Sequence, residues 1–205
     1  MDTWAKFDAA REALCDDLAG LDAGQWDAQS LCTEWKVRHV VAHLVAGSDV
    51  KAGASFVGLL KNGMNFNRYI AQEALQAGSA SPDSLLAGLR ATIGGRKTPP
   101  LAKPVVMLMD TVCHSGDIRR PLGISTKLPD DILIEVADNM KKVGFPLKAK
   151  QRVAGLRLVA TDVAWSTGDG PSVEGPAQSL ILAMAGRRDA LEDLEGEGVA
   201  MFASR

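Results

Sequence analysis

A chain of 205 residues with 46% hydrophobic and 23% charged side chains has room for one core-bearing domain and a small appendage, which excludes disordered and fibrous classes. A formal net charge of -2 gives no basic face for nucleic acid, and no apolar run approaches the roughly 20 residues that cross a bilayer. Three widely spaced cysteines, Cys15, Cys32 and Cys113, exclude a disulfide framework or a zinc ribbon. Aromatics are only 5% of the residues, while Ala and Leu are plentiful, so helix is favoured over sheet. Met1-Asp2-Thr3-Trp4-Ala5-Lys6 lacks the basic-then-apolar layout of a signal peptide, so the expected compartment is the cytoplasm.

The first predicted element is a helix from Thr3 to about Gly20. Trp4, Phe7, Leu14, Leu18 and Leu21 form its apolar stripe, and Arg11 interrupts one position. A turn-like stretch, 22–31, leads to a second helix that starts after Thr33 as N-cap and carries Val37, Val40, Val41, Leu44 and Val45. Gly58, Asn62, Gly63, Asn65 and Asn67 predict a break. Ser81-Pro82-Asp83 starts a third helix, ending at Gly94-Gly95. Pro99, Pro100 and Pro104 hold the chain extended before a periodic run from Val105 through His114, closed by Pro121 and Gly123. Pro129-Asp130-Asp131 opens a helix to Val143.

Composition then shifts. The stretch 141–152 carries five basic residues and no acid and reads as a solvated linker or helix end, whereas 153–205 carries eight acids and four bases. Leu156 to Thr161 reads as a strand continued by Val163 to Ser166, Gly168-Asp169-Gly170-Pro171 as a hairpin turn, Gly175 to Arg187 as a helix and Gly198 to Phe202 as a final strand. The expected organisation is a helical domain over 1–150 and a small α+β domain over 151–205.

All three histidines lie near carboxylates or one another. His39 and His43 are one helical turn apart, and Asp110, His114 and Asp117 follow at four- and three-residue spacings on another predicted helix. Two facing helices giving imidazole and carboxylate can hold a divalent ion, and three protein ligands leave a position open for water or substrate. The same spacings also suit hydrogen-bonded core histidines, and His39 competes with His43 for the ligand role.

Leu31-Cys32-Thr33-Glu34-Trp35-Lys36-Val37-Arg38-His39-Val40-Val41-Ala42-His43-Leu44 resembles the N-terminal signature of the mycothiol-dependent maleylpyruvate isomerase-like family, part of the DinB-like superfamily of metal-binding four-helix bundles. Asp110, His114, Asp117-Ile118-Arg119-Arg120 and Pro121-Leu122-Gly123 resemble its second signature, E-x-x-x-H-x-x-D-I-R-R-P-L-G. Thr161-Asp162, Gly168-Asp169-Gly170, Ala185-Gly186-Arg187 and Leu194 to Val199 are similar to the small α+β domain of such proteins. The resemblance implies a mostly α fold, a DinB-like up-down four-helix bundle followed by a small α+β domain, with His43, Asp110 and His114 as metal ligands.

Two departures stand out. The family Glu is Asp110 here, about 1.5 Å shorter, so the helices must approach more closely or a water must bridge. His39 stands where the family often has Asp and is open to a hydrogen bond at the helix start, a supporting role or a metal position. Asp117 is expected to pair with Arg119 or Arg120. The two arginines fit either anionic groups of substrate and cofactor or the capping of a helix end. Trp26 and Trp35 either wall a cleft or pack at a helix start. Cys113, about 100° around the helix from His114, and Cys32 are expected to be packing residues.

The resemblance implies a divalent metal, most simply zinc, and mycothiol or a similar low-molecular-weight thiol, acting in isomerisation or S-transfer on a small electrophilic substrate, without nucleic acid or membrane partners. The alternative is a non-catalytic ligand- or partner-binding protein on the same fold with a degenerate metal site, in which the C-terminal unit, resembling part of a sterol-carrier-like fold, offers an apolar pocket. Homodimerisation through helix faces is compatible with both.

Overall fold

The computed structural model describes residues 1–48, 63, 65–99 and 102–205, and the chain divides into two compact units, Met1–Thr126 and Lys127–Arg205. The first unit is helical. Helix α1 spans Thr3–Ala19, capped by Asp2, whose carboxylate accepts from Ala5 N–H at 2.8 Å. The predicted turn over 22–31 contains a one-turn helix α2, Ala23–Trp26, closed by a reciprocal pair in which Asp22 and Gln25 side chains each accept from the other's backbone N–H. Helix α3, Val37–Gly47, starts three residues later than expected: Thr33 sits in a turn, and Lys36 is the cap residue.

Helix α4, Phe66–Ala77, has no counterpart among the predicted elements. Asn65, read as part of a break, is its N-cap and accepts from Arg68 N–H at 3.0 Å; Gly58 and Asn62 of that predicted break lie outside the described residues. Helix α5, Pro82–Arg90, begins at Ser81 as expected and stops short of Gly94. Helix α6, Pro104–Leu122, has proline at its first position and left-handed Gly123 (φ 66°) at its end. Pro121 lies inside it and does not close it. Lacking an N–H, Pro121 cannot donate to the Asp117 carbonyl one turn back, and Leu31 N–H donates to that carbonyl at 3.0 Å.

Helix α3 packs against α4, α5 and α6, and α1 against α5 and α6. Val37, Val40, Val41 and Leu44 of α3 are completely buried and meet Leu14 and Leu18 of α1, Leu85 and Leu89 of α5 and Ile118 of α6 in one core.

The second unit begins before residue 150. Helix α7, Asp130–Met140, turns Ile132, Val136 and Met140 inward and packs on helix α9, Ala177–Met184, so it shares the core of the chain that follows it. The basic stretch is also more than linker, since Ala149–Arg152 forms a short helix, α8, with Ala149 buried. Strand β1, Arg157–Ala160, matches expectation; Val163–Ser166 does not continue it but turns back into β2, Ser166–Thr167.

Strand β3, Ser172–Gly175, runs parallel to β1 on its other side, giving the order β2-β1-β3. Gly168–Pro171 is therefore a crossover past the start of β1, not a hairpin turn. A Cβ at Gly168 or Gly170 would collide with the Leu156 or Gly155 carbonyl, so glycine is required. Val199–Ala203 is a helix, α10, not a strand; Glu195 instead pairs with Glu174 at the edge of β3.

Arg152, Arg187, Arg188 and Arg205 line one cavity in this unit. Their partners are carbonyls at helix ends: Met184 O at 3.1 Å from Arg152, Ala185 O at 3.2 Å from Arg187, and Arg152 O at 2.8 Å from Arg205. Helix C-termini gather there, so the arginines cap orphan carbonyls at the negative ends of the dipoles.

Candidate metal centre

Three pieces of the first unit converge: α3, the loop 27–36 before it, and α6. Asp110, His114 and Asp117 share one face of α6, and His43 projects from α3 beside fully buried Leu44. Asp110 Oδ1 lies 3.6 Å from His43 Nε2 and 3.5 Å from His114 Nε2. The shortened carboxylate thus reaches both imidazoles directly.

Exposure runs from 31% for the Asp110 side chain through 16% for His43 and 12% for His114 to 0% for Asp117, so the cluster opens toward solvent at Asp110. His114 faces two ways. Its Nδ1 is 2.8 Å from Asp117 Oδ2, which also accepts from Cys32 Sγ at 3.1 Å; Cys32 Sγ is 3.8 Å from that Nδ1. Two triads, His43–Asp110–His114 and Cys32–His114–Asp117, therefore have ligand-type atoms within 4.8 Å of one another.

Their spacings separate them. Ligands at about 2.0–2.1 Å around a tetrahedral ion stand about 3.3–3.4 Å apart, close to the contacts of Asp110 with His43 and His114. The 2.8 and 3.1 Å contacts of the other triad are those of hydrogen bonds. Asp117 thus holds the Nδ1 proton of His114 and leaves Nε2 as the donor atom facing Asp110, the carboxylate–histidine support common behind metal ligands.

Burial opposes charge on Asp110, but His43, then His114, and beyond them Arg11, hold its carboxyl well below the ordinary range. Arg11 is the residue that interrupted the apolar stripe of α1. It is 0% exposed, and its guanidinium donates to Thr111 Oγ1 at 2.9 Å, Thr92 Oγ1 at 2.8 Å and Leu44 O at 3.2 Å, with Phe7 beneath it at 4.8 Å. Desolvation lowers its pKa to about 10, still far above neutrality. Two of those partners adjoin His43 and Asp110 in sequence. Trp35 covers the imidazoles, its ring 5.0 Å from His43 and 6.0 Å from His114, whereas Trp26 is a core residue.

His39 stands outside the cluster. Its Nδ1 accepts from Lys36 N–H at 3.1 Å, closing the start of α3, and burial together with the charges of Arg38 and Lys36 pushes its pKa down, which suits the acceptor role. Its ring packs on Gly78 at the end of α4, where a Cβ would strike His39 Cδ2 and lie 2.9 Å from Ala74 O. Gly78→Ala should therefore lower the unfolding free energy by about 1–3 kcal/mol, measured by urea denaturation; a neutral result would show that the helices part without cost.

Asp117, expected to pair with Arg119 or Arg120, faces His114 and Cys32, and Arg119 donates from Nε to Asp17 Oδ2 at 2.6 Å. Cys113 is buried in α6, as its position around the helix implied. Sequence reading missed the partnership of Cys32 and Asp117 with His114 and the role of Arg11. A signal existed for two of them: Asp117 follows His114 at i+3, and a lone arginine inside an apolar stripe needs polar partners.

Residues 7–98 match the family described as the mycothiol maleylpyruvate isomerase N-terminal domain. Among solved structures, the crystal structure of the mycothiol-dependent maleylpyruvate isomerase superposes with a TM-score of 0.61 at 16% identity, and that of a histidine-to-alanine mutant of it with 0.62 at 15%. Each alignment covers 96% of this chain and 92% of the other. No curated protein sequence matches the chain. Among the described residues no helix is long and apolar enough to cross a membrane. Helix α3, which carries His43, lies within the matched segment, and at these identities the structural likeness speaks for the fold; residues 7–98 thus resemble the mycothiol maleylpyruvate isomerase N-terminal domain family, in a chain that shares the isomerase's fold along nearly its whole length.

Proposed function

We propose that the protein is a cytoplasmic, divalent-metal-dependent enzyme that uses mycothiol, or a similar small thiol, to isomerise a small electrophilic substrate or to become joined to it through sulfur (S-transfer). The convergence of His43, Asp110 and His114 carries this reading, supported by the family match and the shared fold. Two imidazoles and one carboxylate suit zinc, which stabilises a bound thiolate as it does hydroxide.

The chain's own residues do the rest. Asp117 keeps the Nδ1 proton of His114 and fixes the ring. Asp110 offsets the positive charge of an ion and stays anionic across the working pH range. Trp35 shields one side of the imidazoles, and the exposed Asp110 side is where a thiol and a substrate have access. Anionic groups on either would meet the arginines at the end of α6. Arg119, which pairs with Asp17 at 2.6 Å, and Arg120 are the two candidates.

The alternative, a non-catalytic binding role on a site made degenerate by the Glu-to-Asp change, has less support, since Asp110 Oδ1 stands 3.5 and 3.6 Å from the two imidazoles. The deciding experiment is metal analysis with thiol-dependent turnover of maleylpyruvate. About one divalent ion per chain is expected, with turnover lost on chelation and restored by zinc. Protein that binds the thiol without metal and without turnover would establish the binding role instead.

A further inference from the structure

The loop before α3 is held more firmly than its polar sequence suggests. Gln29 Nε2 lies within hydrogen-bonding distance of the carbonyls of Ser30, Cys32, Thr33 and Trp35, between 2.7 and 3.3 Å. Ser30 Oγ donates to Trp35 O at 2.6 Å and accepts from Cys32 N–H at 3.1 Å. Leu31 N–H donates to the Asp117 carbonyl, to which Pro121 has no N–H to offer. The loop is thereby tied to the very residue whose side chain supports His114, and Cys32 Sγ comes to 3.1 Å from Asp117 Oδ2.

We propose that Cys32 is a positioning residue for the metal centre: its S–H donates to Asp117 Oδ2, the oxygen that takes the Nδ1 proton of His114, and so fixes the imidazole with Nε2 toward Asp110 and His43. Two other roles fit the geometry less well. A metal ion between Cys32, Asp117 and His114 would have to break the 2.8 Å hydrogen bond. A nucleophilic thiol activated by histidine needs thiol and acid on opposite ring nitrogens, and here both converge on Nδ1. Beside a fully buried carboxylate, the thiol is the donor. Pro121, Leu31 and Cys32 thus act together, the backbone bond setting the loop and the side-chain bond setting the carboxylate.

The inference rests on the proposed metal centre for its consequence, so its test has one arm with an ion and one without. In the metal-free full-length protein, the His114 Nδ1–H resonance should be sharp and slowly exchanging in native and C32S protein, and broadened in C32A. In zinc titrations, C32A should bind about tenfold more weakly than native, and C32S should recover to within about threefold, because the hydroxyl still donates. An unchanged Nδ1–H signal in C32A overturns the proposal. So does a C32S variant as impaired as C32A, which would mean that sulfur volume, not donation, matters. Native protein that binds no zinc would overturn the proposed metal centre, and the Nδ1–H signal would still decide the role of Cys32.

Discussion

Asp110→Asn is expected to weaken divalent-ion binding by at least about 100-fold and to abolish thiol-dependent turnover while leaving the helices folded. The side chain is nearly isosteric and 31% exposed, so the fold tolerates it; the loss comes from removing the one anionic ligand between two neutral imidazoles. Asp110→Glu puts back the residue of the family signature, yet it should not improve binding. Oδ1 already stands 3.6 and 3.5 Å from the two Nε2 atoms, and an added methylene moves the oxygen by about 1.5 Å, against a metal-site tolerance of about 0.2 Å. A glutamate variant binding zinc more tightly than native would show that the helices are held closer than the ion wants. Isothermal titration with zinc separates these outcomes.

The same substitution has an acid signature in the metal-free protein. The Asp110 carboxyl is held below its ordinary value of 3.8, with burial opposed by His43, His114 and Arg11. A depressed carboxyl contributes stability that is fully present above the unfolded value and lost as pH falls through the folded one. Native protein should therefore lose more stability than D110N on acidification below about pH 4. Identical acid limbs in denaturation would contradict that.

The second large effect concerns stability. Arg11→Ala should lower the unfolding free energy by about 3–5 kcal/mol, read as a fall in urea midpoint at constant slope. The guanidinium is completely buried and ties α1 to α3 through Leu44 O, to α6 through Thr111 and to the turn after α5 through Thr92. Truncation removes those bonds and the packing on Phe7 together. Arg11→Lys should recover only part of the loss, since a single ammonium lacks the planar fork that spans three directions. A change below about 1 kcal/mol in Arg11→Ala would show that the helices are joined by apolar packing alone. Zinc affinity should weaken as well, because Leu44 and Thr111 adjoin His43 and Asp110.

Much of the helical unit was legible in the residues. The stripe of α1, the Ser81-Pro82 start of α5 and the left-handed stop at Gly123 are local, decided within one or two turns by burial, capping and φ preference. Helix α4 escaped notice because its asparagine cap was read as part of a turn-rich stretch. Gly198–Phe202 looked like a strand because a short apolar run has no period of its own; the edge of β3 is taken by Glu195, leaving the segment to coil. The boundary between the units moved because α7 buries its face on α9, a partner nearly 40 residues away that no local pattern names.

The proposed ligand set shows the same division. Spacing brought Asp110, His114 and Asp117 to one face of α6, and it left His39 and His43 as rivals. Packing separated that pair: His39 lies against Gly78 and bonds to Lys36 N–H, while His43 turns to α6. By itself, then, the sequence determined a soluble-type composition, a helical first half, the two signatures and the residue types able to hold a cation. Only tertiary structure decided which imidazole faces Asp110, that the shorter carboxylate lies beside both His43 and His114, that Arg11 lies buried behind them and that Cys32 meets Asp117. Those are contacts between segments tens of residues apart, governed by helix approach and by carbonyls left open, and they come into existence when the core closes.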